Sequence, residues 1–212
     1  MRRFLCNTIA LFGLFAVVTQ FILMVLASEG SMVQNLLRFF SFFTILTNAL
    51  VTFCFWRESI SNNPNSNFFF ARPGWLTAIT IYITMVGFVY QVTLRGVWEP
   101  QGLQMVVDEL LHSIIPILVV IYWARYERKD KIRWSQLPWM LIYPLLYLIY
   151  ILVRGEFSDF YPYYFIDVNR LGWAKVLQHA LLLILTFLVL ALGFIGFGKL
   201  MAKKPMYFKG EV

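Results

Sequence analysis

Apolar residues along this chain come in long blocks, not in the alternation of half-buried strands. Six blocks stand out, at 4–27, 36–56, 74–94, 107–124, 137–153 and 172–198. Each is long enough to be read as a membrane crossing, because about 20 helical residues at 1.5 Å each span roughly 30 Å of hydrocarbon. Short polar stretches separate them, and the loop RESISNNPNSNFFFARPG (57–74), rich in Asn, Pro and Ser, punctuates the chain most clearly. The fourth block opens on Asp108, Glu109 and His112 and contains Pro116. A transmembrane helix tolerates such a proline when a neighbour satisfies the carbonyl it frees. The pattern predicts an all-α polytopic membrane protein, a six-transmembrane-helix bundle forming one integral membrane domain over residues 1–212.

Composition strengthens this reading. Of 212 residues, 60% are apolar and only 14% charged, well below the roughly 25% of soluble domains. A net charge of +7 would suggest a nucleic-acid partner in a soluble protein. Here topology explains it. With the N-terminus inside, the cytoplasmic side collects Arg2, Arg3, Arg57, Arg72, Arg125, Arg128, Lys129, Lys131, Arg133, Lys199, Lys203, Lys204 and Lys209. Only Arg38, Arg95, Arg154, Arg170 and Lys175 fall opposite, so the positive-inside rule predicts both termini cytoplasmic. The opening MRR, an apolar run, and VLA before SEG have the outline of a secretory leader. The run of about 24 residues exceeds the 7–15 of such leaders, which favours a retained span. Cys6 and Cys54 fit no metal-ligand spacing, and both are expected near cytoplasmic helix ends, where thiols stay reduced.

Polar side chains are costly in hydrocarbon, so where they gather points to function. Ser41, Thr44, Asn48 and Thr52 follow one another at spacings that share a helical face, with Thr47 close by. Thr77, Thr80, Thr84 and Gln91 make a similar stripe in the third block, Tyr143, Tyr147 and Tyr150 in the fifth, and Gln178 and His179 open the sixth. The plain alternative is that hydroxyls bond back to their own helix or pack small against a neighbour, and that tyrosines anchor at the interface. Depth decides which could meet: Thr44 is expected about 12 Å into the second block and His112 about 7 Å into the fourth, both from the outer side. Gln91 and His179 fall at similar depth.

A threonine hydroxyl attacks only when a base takes its proton, and a neutral imidazole is the usual base. Thr44 and His112 are the candidate pair. A third group should fix the imidazole tautomer. Asp108, four residues before His112 on the same helical face, is one candidate; Glu109 and the loop residue Asp167 are others. The competing reading of His112 is a structural histidine bonded to a neighbouring helix. Zinc would want three or more protein ligands. His112 and His179 as axial ligands of one haem is a minority reading.

Three stretches together carry a resemblance: FFTILTN (42–48), LLHSIIP (110–116) and YPYYFIDV (161–168). Over most of its length the chain resembles the androgen-induced membrane hydrolases, and especially their prokaryotic six-span relatives. The resemblance implies an intramembrane threonine-type hydrolase that cleaves lipid esters, such as fatty acid esters of hydroxy fatty acids, without a cofactor. Thr44 matches the family's threonine and His112 its histidine, followed by a small hydroxyl residue and by proline four positions on. The family often has Asn or Asp three residues after its threonine, where this chain has Thr47 followed by Asn48. Asn48, Gln91 or a tyrosine of the fifth block are the expected oxyanion donors, with His179 and the acidic residues in supporting roles. The partner expected is a membrane lipid or acyl ester, and the prokaryotic likeness implies a bacterial inner membrane. The alternative is a non-catalytic lipid-binding or structural membrane protein.

Overall fold

The structure, a computed structural model, describes residues 1–61 and 72–202; most of the loop 57–74 and the basic positions Lys203, Lys204 and Lys209 lie outside the described residues. Among the described residues there is no strand. The helices are α1 (Arg2–Leu26), α2 (Met32–Phe39), α3 (Phe43–Ile60), α4 (Trp75–Val89), α5 (Leu103–Glu109), α6 (Ile115–Tyr126), α7 (Leu137–Met140), α8 (Ile142–Ser158) and α9 (Val168–Ala202). A π-helical turn over Tyr90–Leu94 prolongs α4, and another over Leu110–Ile114 joins α5 to α6.

Five of the resulting rods are long and apolar enough to cross a membrane, and a sixth follows if α2 and α3 form one bent span. Their outer surfaces carry rows of exposed hydrophobic side chains, such as Leu11, Phe15, Val18 and Ile22 on α1 and Leu181, Leu185 and Val189 on α9. Such rows would be a liability in water and suit contact with lipid chains. The core runs through α4, where Leu76, Ile79, Ile83 and Val86 are buried. It packs there on α6 and α9, while α1 lies along α3. Gly13 permits that last approach, since a Cβ there would come 2.0 Å from Thr52 Oγ1.

The second apolar block, expected as one helix over 36–56, is broken. The axes of α2 and α3 meet at 79°, with Phe42 extended at the break. No proline or glycine marks this place. Ser41 does instead: its hydroxyl donates back to the Leu37 carbonyl at 2.6 Å, a bond that bends helices. Its own carbonyl, released from the ladder, accepts from Tyr147 Oη on α8 at 2.8 Å. Ser41 therefore precedes α3 and leaves the stripe predicted for Thr44, Asn48 and Thr52.

Candidate functional site

The break gives α3 an N-terminus inside the bundle. The first N–H groups of a helix have no partner in their own ladder, and they carry the positive end of its dipole. Phe42, at the cap position, offers no side-chain acceptor. Thr44 sits in that first turn, and its backbone N–H donates to the Tyr163 hydroxyl at 3.3 Å. Tyr163 belongs to the stretch joining α8 to α9, and its Oη also lies 3.4 Å from Thr44 Oγ1. Burial pushes its phenol above the ordinary range, against the opposing bonds from Thr44, so it stays a neutral donor.

His112 arrives from the other side on the π turn after α5. Its Nε2 lies 3.4 Å from Thr44 Oγ1. Its Nδ1 lies 2.9 Å from the Asp108 carbonyl oxygen and 3.3 Å from Asp108 Oδ1. An Nδ1–H donated to that pair of oxygens leaves Nε2 bare toward the threonine, the tautomer a base requires. Tyr90 stacks on the ring at 4.2 Å between centroids and 14° between planes. Both π turns thus meet at the imidazole, which accords with the frequency of such bulges at functional positions. Gly87 makes the approach possible, because a Cβ there would stand 2.9 Å from the His112 carbonyl oxygen.

Pro116 explains how this turn is held. In the π turn the Ile115 N–H goes to the Leu110 carbonyl. The next such bond would run from residue 116 to the Leu111 carbonyl, and proline has no N–H to give. Asn48 on α3 supplies it: Nδ2 donates to Leu111 O at 3.3 Å and to Thr44 O at 2.9 Å. Asn48 is fully buried. It ties the helix of the threonine to the residue preceding the histidine, and with both hydrogens committed it has none left for a reacting oxyanion.

The other predicted residues separate. Glu109 pairs with Arg95 instead of His112. Gln91 is exposed, donating to Ser113 Oγ at 3.0 Å and accepting from Arg95 at 2.6 Å. Asp167 does not orient His112; its Oδ1 accepts from the Arg170 N–H at the start of α9. His179 takes the Phe165 carbonyl on Nδ1 at 2.7 Å and so fastens the stretch that carries Tyr163. Thr47 is buried against Tyr143, hydroxyl to hydroxyl at 3.1 Å. Tyr163 and Tyr90 were missed as partners of the pair. The YPYYFIDV motif held the first, yet no periodicity separates Tyr163 from Tyr161 or Tyr164.

Two cavities meet at the pair. One, partly open and with about 680 Å³ of empty space counting its mouth, lies among α4, α8 and α9 and is lined by Met85, Leu148, Leu183, Ile184 and Phe187. The other, with about 1200 Å³ and partly open, lies toward α1 and α5 and includes Gln20, Trp98, Gln104 and Asp108. Thr44, Tyr90, His112 and Tyr163 line both. No protein-family model, curated protein or solved structure matches this chain.

Proposed function

We propose that the protein is an intramembrane hydrolase of lipid esters in which Thr44 is the nucleophile and His112 the general base. The observation that carries this reading is the Thr44 Oγ1 to His112 Nε2 contact, with Asp108 behind the imidazole, where two largely apolar cavities meet. A separation of 3.4 Å is loose, as catalytic contacts often are before substrate fills the site. Thr44 attacks the ester carbonyl as His112 takes its proton, and His112 returns that proton to the departing alcohol. The Tyr163 hydroxyl, beside both the Thr44 hydroxyl and the Thr44 N–H, is the donor proposed for the oxyanion. One such donor is worth about 3 to 4 kcal/mol of the barrier.

The distribution of Lys and Arg supports six crossings with both termini in the cytoplasm, which sets the pair in the outer half of the bilayer. A lipid ester would then reach it from the outer leaflet. The resemblance to the androgen-induced membrane hydrolases supports the same chemistry, with fatty acid esters of hydroxy fatty acids as the substrate class and a bacterial inner membrane as the location. Purified protein in detergent is expected to hydrolyse long-chain esters, and Thr44→Ala and His112→Ala are each expected to abolish turnover while the melting temperature stays near wild type. Full activity in either folded variant would remove that residue from its role.

A further inference from the structure

We propose that the two cavities are separate chambers for the two halves of the ester: the dry one takes the acyl chain, and the polar one takes the departing alcohol and then the hydrolytic water. The inference rests on the hydrolase reading and goes on from the position of Thr44, which lines both spaces.

The contrast in lining assigns the halves. In the first chamber Leu183, Ile184 and Phe187 of α9 face Met85 and Val86 of α4, and the polar groups gather at the threonine end. A hydrocarbon chain gains there what it would lose in water. The second chamber holds the paired amides of Gln104 and Gln20, 2.8 Å apart, and the Asp108 carboxylate. Asp108 is 6% exposed, and among the described residues its Oδ2 receives no hydrogen bond of ordinary geometry, although the Tyr90 hydroxyl stands near the carboxylate. A buried carboxylate oxygen without a donor is costly, and a hydroxyl or water placed in this chamber would satisfy it. No Lys or Arg lines the space among the described residues, so the alcohol half that fits beside Asp108 is uncharged and hydrogen-bonding.

The reaction then runs across the wall. Thr44 Oγ1 bonds to the acyl carbon while its proton passes to His112 Nε2. The ester C–O bond breaks, the alcohol oxygen takes that proton, and the alcohol leaves through the polar chamber, with the acyl chain still in the dry one. Water enters the vacated polar chamber, gives a proton to His112 and adds to the acyl carbon. The bond to Thr44 breaks, its oxygen regains the proton, and the fatty acid departs.

The test varies each half separately. p-Nitrophenyl esters from acetate to laurate change the acyl chain alone, and laurate esters of ethanol, butanol and decanol change the alcohol alone. Wild-type kcat/KM is expected to rise by up to roughly fourfold per acyl methylene until the dry chamber is full. Leu183→Trp, or the milder Ile184→Phe if the first does not fold, should flatten that rise and spare the dependence on alcohol size. Gln104→Trp should do the reverse. Acyl profiles unchanged in both α9 variants, or an exchange of the two effects, would overturn the assignment and leave the hydrolase reading standing. Failure of the wild-type protein to turn over any of these esters would overturn both.

Discussion

The bond from Asn48 to the Leu111 carbonyl can be tested against the proline that makes it necessary. Leu111 O has lost one backbone donor because the Ile115 N–H serves Leu110, and the other because Pro116 has no N–H. Asn48→Ala should therefore strand a buried carbonyl at a cost of about 1 to 3 kcal/mol. Thr44 O is spared, since it keeps the ladder bond within α3. In a Pro116→Ala background the new Ala N–H can serve Leu111, so the same Asn48→Ala change should cost about 1 kcal/mol less or better. That gap is larger than the 0.6 kcal/mol average of interhelical bonds in membranes, because here the alternative is no partner at all. Unfolding of the four proteins of the cycle in mixed detergent and SDS micelles, followed by tryptophan fluorescence, measures the coupling. Additivity within about 0.5 kcal/mol would refute the claim that Asn48 replaces the missing proline donor.

Gly87→Ala should push the His112 turn away by about half an ångström, the difference between 2.9 Å and ordinary contact at 3.4 Å. A displacement of that size at a proton-transfer site is expected to cost roughly tenfold in kcat/KM, read with the ester assay beside a melting curve. Tyr163→Phe keeps the ring and loses the hydroxyl, so kcat should fall about 100-fold with KM little changed. Glu127, just past α6, accepts from the Thr77 N–H and hydroxyl at 3.0 and 2.9 Å. Burial nevertheless pushes its carboxyl above the ordinary range. The folded chain then holds this proton more tightly than the unfolded one, so its contribution to stability is full below the ordinary carboxylate range and declines as pH climbs through the raised value. Glu127→Gln should flatten that part of a melting-temperature profile against pH.

The helices were legible in the sequence because hydrocarbon imposes long, nearly uncharged runs, and five of the six predicted blocks each overlap one observed rod, the second being split between α2 and α3. What escaped was the break before Phe43. It depends on Ser41 bonding to its own helix and on Tyr147 arriving from α8, a tertiary event without a proline or glycine to announce it. The approach of Thr44 to His112 was legible from depth and chemistry. The choice between acids was not, since Asp108 and Glu109 differ only in which way the helix turns them, and Arg95 takes the second. Asn48 was read as an oxyanion donor because its face was visible and its partner was not: only the fold sets the Leu111 carbonyl opposite it. Asp167 and His179 stand near the site in depth, yet each is spent on shaping the stretch around α9 that delivers Tyr163.

In the proposed reaction Thr44 forms the covalent bond. The direct measurement is peptide mass mapping of the purified protein after reaction with a long-chain alkyl fluorophosphonate, which phosphonylates an activated hydroxyl. One adduct is expected, on Thr44, lost in Thr44→Ala and His112→Ala and retained in Thr47→Ala. An adduct on Thr47 or Tyr163, or a folded protein that hydrolyses esters with Thr44 unmodified and replaceable, would contradict it.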